Sequence, residues 1–328
     1  MYDAAFLDRL EAGLRGALPA WGMEAGVSLR LLTISENATF LVEDPVRGHP
    51  VIFRVHRPAY HEKEEIISEL AWISALIADG TVATPRPLAT VGGDLLGSFE
   101  DGGDLRHVAA FEFMSGAEPE ASSSSVPWFH TLGAVSAQLH AHTRAWARPG
   151  TFRRKTWDFD AMLGHRPLWG DWRAGLGLDG PGRQVLERTS VELERRLRAY
   201  GQAPDRFGLI HADLRLANLL VDGDRLGIID FDDCGFSWFM YDFAAAVSFF
   251  EDDPVVPDLQ EAWLEGYRSQ GQVTADDLAM MPVFLMLRRM LLTAWIASHA
   301  ETPTAQEMGV PYTAGTVVLA ERFLAEQA

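Results

Sequence analysis

Apolar and polar residues follow one rhythm up to about residue 115 and a different one beyond it. In the first stretch, short β-type runs surround a single helix. Residues 29–33 and 39–42 read as strands separated by the turn-rich Ser35-Glu36-Asn37-Ala38, and 51–56 (VIFRVH) as a third strand closed by Arg57-Pro58. Residues 62–78 place Ile66, Leu70, Ile73 and Ile77 at helical spacing, and Asp79-Gly80 ends the pattern. Residues 87–91 and 95–100 flank Gly92-Gly93-Asp94 as a hairpin, and 108–113 follows as a further strand. These runs predict a small antiparallel sheet with one inserted helix, preceded by a packing helix over 6–18.

Residues 114–127 (MSGAEPEASSSSVP) have the composition of a connector, and helical periodicity dominates after them. Helices are predicted over 128–144, 181–200, 258–269, 275–298 and 314–326. The run 181–200 is laced with Arg and Glu at three- and four-residue offsets, the mark of a solvated face. The exception is 208–232, where 209–210, 218–221 and 226–229 are short strand-like runs broken by acidic turns. The expected division is an α+β chain with a sheet-bearing domain over 1–113 and a mostly helical domain over 114–328.

Composition narrows the partners. Among 328 residues, 28 Lys and Arg face 46 Asp and Glu, a net charge of −18, with 48% apolar residues. That is globular composition, and its sign argues against a nucleic-acid backbone or an anionic membrane surface as partner. The single cysteine, Cys234, excludes a disulfide framework and a Cys-ligated zinc site, and it fits a reducing cytosol. The first 30 residues lack a signal-peptide pattern. No apolar run approaches a membrane span, because 280–290 is interrupted by Pro282, Arg288 and Arg289. A soluble, cytoplasmic protein is expected.

The residues able to do chemistry gather in HADLRLANLLVDGDRLGIIDFDD. Phosphoryl transfer from a nucleotide needs a carboxylate beside the attacking hydroxyl, and Asp213 in a loop can supply it. It also needs hard oxygen ligands for a divalent metal, which Asn218 and Asp230 provide. The acidic turn Asp222-Gly223-Asp224 reverses the chain between those two. An Asp, an Asn five residues on and an Asp ending an apolar strand is the kinase arrangement of catalytic loop and metal site.

Those residues resemble the aminoglycoside phosphotransferase and choline kinase superfamily, most closely the subgroup of type-II homoserine kinases and the bacterial stress-response kinase. Residues 211–218 match its H-G-D-x-x-x-x-N loop, and Ile229-Asp230-Phe231-Asp232 matches its I-D-F/W-D/E. The stretch 238–246 matches the segment whose Asp, here Asp242, anchors the loop. The resemblance implies a bilobal protein-kinase-like fold with a small sheet lobe and a larger helical lobe. It implies transfer of the γ-phosphoryl of ATP, with Mg2+, to a hydroxyl of a small molecule.

By the same resemblance, Asp213 is the catalytic base, His211 orients its loop, and Asn218 and Asp230 hold the metal. Ser35, Asn37 and Thr39 stand at the nucleotide loop, although no G-x-G-x-x-G is present. Arg54 occupies the position of the phosphate-binding Lys. Its helix partner is Glu69, with Glu65 the alternative. Glu112, Phe113 and Met114 match the hinge that reads adenine.

Charge and aromatic residues add a substrate hint. Between Asp205 and Asp277 stand 16 acids against 4 basic residues, a field that favours a cationic acceptor such as an amino alcohol or aminoglycoside. Trp157, Trp169 and Trp172 could box such a cation but read better as packing. Glu251-Asp252-Asp253 reads as a solvated helix cap. His140 and His142 lie two residues apart on different helix faces, which argues against a shared ion. A monomer or homodimer is expected. The competing readings are a nucleotide-binding pseudokinase, a haloacid-dehalogenase-type phosphatase with Asp230-Phe231-Asp232 as its D-x-D, and a protein Ser/Thr kinase.

Overall fold

The computed structural model describes residues 4–34 and 37–326, and the chain divides into two compact units. The first takes in the described part of Met1–Gly116, together with Arg148–Arg154 and Gly227–Asp232. Helix α1 (Ala4–Ala17) leads into β1 (Ser28–Ile34), β2 (Ala38–Glu43) and β3 (Val51–Val55). Helix α2 (Lys63–Ala78) then precedes β4 (Pro87–Leu88), β5 (Leu96–Asp101) and β6 (Asp104–Glu112). The sheet is antiparallel, ordered β1-β2-β3-β6-β4, with β5 also paired to β6.

The expected hairpin between 87–91 and 95–100 does not form. Asp94 instead closes a local turn, its carbonyl accepting from Thr90 N at 2.8 Å. The hairpin is β5–β6, in which Asp101 faces Asp104 across Gly102-Gly103. Both glycines have positive φ, 64° and 99°, which a two-residue hairpin turn demands. Strand β4 meets β6 further along, at Phe111 and Ala110.

The core of this unit packs Leu10, Leu14 and Trp21 against Phe40, Phe53 and Val108. Trp21 meets Phe53 edge to face at 5.1 Å. Helix α1 lies so close to β5 that a Cβ on Gly13 would stand 2.2 Å from the Phe99 ring. A reciprocal capping box between Glu62 and Glu65 starts α2, and its buried face carries Ile66, Leu70 and Ile73. Glu69 sits on that same face, fully buried. Arg148–Arg154 docks on this helix through Arg153 N to Ser68 Oγ (2.8 Å) and Arg154 Nη1 to the Glu65 carbonyl (3.0 Å).

The second unit is mainly helical: α3 (Val126–Ala145), α4 (Phe159–Met162), α5 (Gly180–Tyr200), α6 (Tyr241–Ala246), α7 (Val256–Gln270), α8 (Ala275–Ser298) and α9 (Pro303–Glu326). Helices α3 and α7 cross in near backbone contact. A Cβ on Gly133 would fall 1.9 Å from the Trp263 carbonyl oxygen, and one on Gly266 would fall 1.8 Å from that of His130. The polar helix α5 carries Glu192 between Arg195 and Arg196. Strand β7 (Phe207–Ile210) pairs antiparallel with β10 (Gly235–Trp238), a strand that the sequence pattern did not reveal. Between them β8 (Leu219–Asp222) and β9 (Arg225–Ile228) pair as a hairpin, and β9 carries the chain into the first unit.

Helix α8 is the spine of the second unit. It is long and apolar enough to cross a membrane, contrary to the reading that no run approaches that length, but 83% of its most apolar stretch is buried in the protein. Arg288 and Arg289 interrupt the hydropathy without interrupting the helix, because both guanidinium groups are buried and paired.

Candidate active site

In the first unit, chemistry converges on Arg54 of β3. Strand pairing sets Arg54 opposite Thr39 of β2 and Ala109 of β6, and its side chain is buried under Phe111, whose ring centroid lies 5.2 Å from the guanidinium carbon. Nη2 donates to both oxygens of Glu69 at 2.6 and 2.7 Å, and Nη1 donates to Asp230 Oδ1 at 3.1 Å. Burial alone would pull the Arg54 pKa down, but Glu69, Asp232 and Asp230 outweigh it and push it up. A lysine ammonium could not span these two carboxylates in the same way, so the planar fork explains arginine here. Glu65 is engaged elsewhere, in the α2 cap and beside His61 Nδ1 at 3.5 Å.

Asp232 anchors the turn that follows Asp230. Its Oδ2 accepts from Asn37 Nδ2 at 2.7 Å, His61 Nε2 lies 3.4 Å away, and its carbonyl accepts from Arg154. Burial would raise the Asp232 pKa, but His61, Arg54 and His56 hold it well below the usual carboxylate range. His61 is shifted up despite its burial, because Asp232 and Glu65 favour its charged form. His56 is driven well down by burial and by Arg54. Asp230 has φ 60°, and its side chain is 43% exposed against 7% for Arg54 and Asp232. Of the three carboxylates around Arg54 it is the one that reaches solvent.

Asn37 therefore uses its side chain inside the protein, accepting from Arg57 N as well as donating to Asp232. Thr39 is half-buried in β2, and Ser35 lies outside the described residues. At the end of β6, the Glu112 N–H donates to the Arg86 carbonyl, Phe113 is exposed, and Met114 is half-buried.

In the second unit, the loop after β7 holds His211, Asp213 and Asn218. Asn218 Nδ2 donates to the Asp213 carbonyl at 2.8 Å and to Asp213 Oδ2 at 2.9 Å. Arg215 Nε reaches the same Oδ2 at 3.2 Å, and Arg288 Nη2 donates to Oδ1 at 2.6 Å. Burial would raise the Asp213 pKa, but Arg215, Arg288 and His211 together lower it. His211 is buried, and its Nδ1 accepts from Asp213 N at 3.3 Å. Ala212 between them has φ 67°, a conformation that suits the glycine of an H-G-D loop.

Asp242, at the start of α6, holds that strained residue. Its Oδ1 accepts from Ala212 N at 2.8 Å, while its Oδ2 meets His140 Nε2 at 2.9 Å. The other ring nitrogen of His140 meets Tyr267 Oη at 3.0 Å, so His140 shares no ion with His142. Among the described residues there is no cluster of three or more His, Cys, Asp or Glu able to hold a metal by itself. Asn218 in the second unit and Asp230 in the first each carry a hard oxygen donor, the type that Mg2+ takes.

Two hints from composition change. Glu251 is buried rather than solvated, bonded to Arg289 Nη1 at 2.7 Å and Tyr312 Oη at 2.9 Å. The acid count ended at Asp277, in the first turn of α8, and so left out the two arginines of that helix, which pair with Asp213 and Glu251. Those arginines are what sequence reasoning missed; the available signal was a charged pair inside an otherwise apolar helical run. Trp157, Trp169 and Trp172 are buried, with Trp157 and Trp169 edge to face at 5.2 Å.

A profile of the phosphotransferase enzyme family matches residues 30–275. The chain belongs to that family. A solved microcompartment-associated aminopropanol kinase is 45% identical and superposes with a TM-score of 0.88, over 95% of this chain and 97% of that one. The amicoumacin kinase of Bacillus subtilis (strain 168) is 25% identical over 276 residues, 80% of this chain and 78% of its own length. The fold of amicoumacin kinase hAmiN, solved with AMP-PNP, Ca2+ and Ami, matches at a TM-score of 0.78 and 21% identity, over 99% of this chain and 94% of that one. The protein is thus a kinase that phosphorylates an alcohol group, on an α+β, protein-kinase-like fold. The phosphatase alternative falls, since Asp230 follows a short hairpin strand and not the opening strand of a parallel sheet.

Proposed function

We propose that this family member is an ATP- and Mg2+-dependent phosphotransferase whose acceptor is a small amino alcohol of the aminopropanol type. The observation that carries the reading is the fixed register of Asp213 and Asn218, in which the Asn amide clamps the carboxylate and turns its own oxygen away from it. The 45% identity to an aminopropanol kinase supports the acceptor class. The AMP-PNP and Ca2+ in the hAmiN structure support a nucleotide and a divalent cation.

In this reading the Asp213 carboxylate accepts a hydrogen bond from the acceptor hydroxyl, orients it towards the γ-phosphorus and takes its proton late in the transfer. The low pKa of Asp213 makes it a weak base, so it contributes mainly by positioning. Asn218 and Asp230 would hold Mg2+, which neutralises charge on the phosphates. Arg54, braced by Glu69, would face the α- and β-phosphates. Asn37 would act through Asp232, and by the sequence resemblance Ser35 and Thr39 would belong to the nucleotide loop. The Glu112–Met114 backbone would read the adenine edge. A cytoplasmic location follows from the reading as a small-molecule kinase.

The test is a mass-resolved assay with ATP, Mg2+ and a panel of 1-amino-2-propanol, ethanolamine, choline and homoserine. 1-Amino-2-propanol should gain one phosphate. Asp213→Asn should lose about 10²–10⁴-fold in turnover while still binding nucleotide. Full turnover by that variant would remove Asp213 from the role given to it.

A further inference from the structure

We propose that Arg288 is a positioning residue for phosphoryl transfer, a buried fork that fixes both the backbone and the carboxylate of the catalytic loop. The proposal rests on the reading of Asp213 as the catalytic base. Arg288 sits in the middle of α8, more than seventy positions from the loop in sequence, and is almost wholly buried. Each of its three nitrogens is directed. Nη2 holds Asp213 Oδ1 at 2.6 Å, Nη1 approaches the Ala212 carbonyl at 3.4 Å and Tyr241 Oη at 3.3 Å, and Nε donates to Ser248 Oγ at 2.8 Å. The guanidinium carbon lies 5.3 Å from the Trp169 ring centroid, which closes one side of it.

The geometry points to positioning and not to bulk packing for three reasons. First, Ala212 is held in a left-handed conformation at both of its polar groups, the N–H by Asp242 and the carbonyl by Arg288. A strained residue persists where its surroundings over-determine it. Second, the two oxygens of Asp213 are divided between partners. Arg288 takes Oδ1, while Asn218 and Arg215 share Oδ2, so the carboxylate has one permitted plane. Third, Arg215 is about one-third exposed whereas Arg288 is buried, so the Arg288 guanidinium is enclosed by protein and can transmit a fixed orientation. An arginine fork matches this task because it meets a carboxylate and a carbonyl in one plane, which a lysine cannot do.

The experiment uses the full chain with ATP, Mg2+ and 1-amino-2-propanol, on Arg288→Lys, Arg288→Met, Asp213→Asn and the double variant Asp213→Asn/Arg288→Met. Arg288→Lys should lose about tenfold or more in kcat, with KM for ATP and for the alcohol changed by no more than about threefold, because the carboxylate is misaimed while binding surfaces remain. A thermal-melt cycle supplies a readout independent of acceptor and turnover. Each single variant, Arg288→Met and Asp213→Asn, leaves one buried charge uncompensated and should lower Tm by about 5–10 °C, whereas the double variant should recover part of that loss.

Unchanged kcat in Arg288→Lys, a rise in acceptor KM alone, or additive Tm losses would each overturn the positioning role. Should Arg288→Met not fold, Arg288→Lys alone decides through its split between kcat and KM. Should Asp213→Asn turn over at the wild-type rate while Arg288→Lys still loses kcat, the base assignment fails separately from the importance of Arg288.

Discussion

The two clusters are built on the same part, a buried arginine gripping carboxylates, with opposite charge balance. Around Arg54 three carboxylates, Glu69, Asp230 and Asp232, approach one guanidinium. Around Asp213 two guanidinium groups, Arg288 and Arg215, approach one carboxylate. The difference follows the chemistry that each would serve. An acid-rich cluster leaves one carboxylate, Asp230, reaching solvent, and in the proposed function that is the group that would meet the dication. A carboxylate held between arginines is kept charged, aimed and weakly basic. Burial disfavours the charged form of either group, and in both places the partners outweigh it.

The comparison breaks first at Glu69. If the Arg54 cluster is a true buried ion pair, Glu69→Leu strands a guanidinium and should cost about 3–5 kcal/mol of stability, read by urea denaturation. Adding Arg54→Met to that variant should recover a good part of the loss. A cost below about 1 kcal/mol would mean that Asp230 and Asp232 alone satisfy Arg54, and that Glu69 is not the brace assigned to it.

Arg54→Lys asks the finer question of why a fork is present. Lysine keeps the charge but presents a single nitrogen, so it can serve Glu69 or Asp230 and not both in the present geometry. The expected stability loss is about 1–3 kcal/mol, the range for a hydrogen bond to a charged group. The affinity for Mg2+ with nucleotide, measured by calorimetry, should rise if Asp230 is released from Nη1. Equal affinity would show that the Arg54–Asp230 bond does not compete with the metal.

The sequence carried the local parts of these clusters and little of their long-range wiring. Glu69 could be named as a partner of Arg54 because the family resemblance supplies a helix acid there, and its place three residues from Ile66 puts it on the buried face of α2. Asp213 and Asn218 were legible because five residues of loop fix their spacing. Asp242 could be named because a matching stretch exists for it. Arg288 could not, since a charge in an apolar helix looks like an interruption until its partner, far away in sequence, is known. The Asn37–Asp232 bond, 195 residues apart, was equally silent. Strand pairing failed where two glycine turns competed, since positive φ at Gly102-Gly103 is a property of the backbone and not of composition.

Each unit also carries a buried histidine shifted down, His56 in the first and His140 in the second, both mainly by burial. A histidine neutral in the fold and ordinary when unfolded binds its proton more readily in the unfolded chain below pH about 6.5. Stability should therefore fall as pH drops from about 6.5, by up to about 1.4 kcal/mol per pH unit per histidine. His61 opposes this, since its raised pKa stabilises the fold at low pH and is lost as pH rises through that value. The Asp213 and Asp232 contributions stay intact above the usual carboxylate pKa and are lost only well below it. Denaturation midpoints between pH 5 and 7.5 on wild type and His140→Asn should separate the two units. The variant should show a flatter profile, and an unchanged slope would assign the whole effect to the first unit.

The smallest expected effect tests the strain that the two clusters share. Asp230 and Ala212 both have left-handed backbones, at φ 60° and 67°. Aspartate tolerates that region better than most residues, and its carboxylate is in use, so the conformation at Asp230 serves the cluster. The Ala212 methyl is buried and makes no polar contact, while the left-handed region costs a Cβ-bearing residue about 1–2 kcal/mol. Glycine there removes that cost and adds about 0.5–1 kcal/mol of unfolded-chain entropy. Ala212→Gly should therefore stabilise the protein by up to about 1 kcal/mol, visible as a small rise in the denaturation midpoint at constant m-value. Turnover should hold, because Asp242 and Arg288 still grip the same N–H and carbonyl. A stability gain with lost turnover would mean that the methyl, and not only those two side chains, keeps the loop aimed.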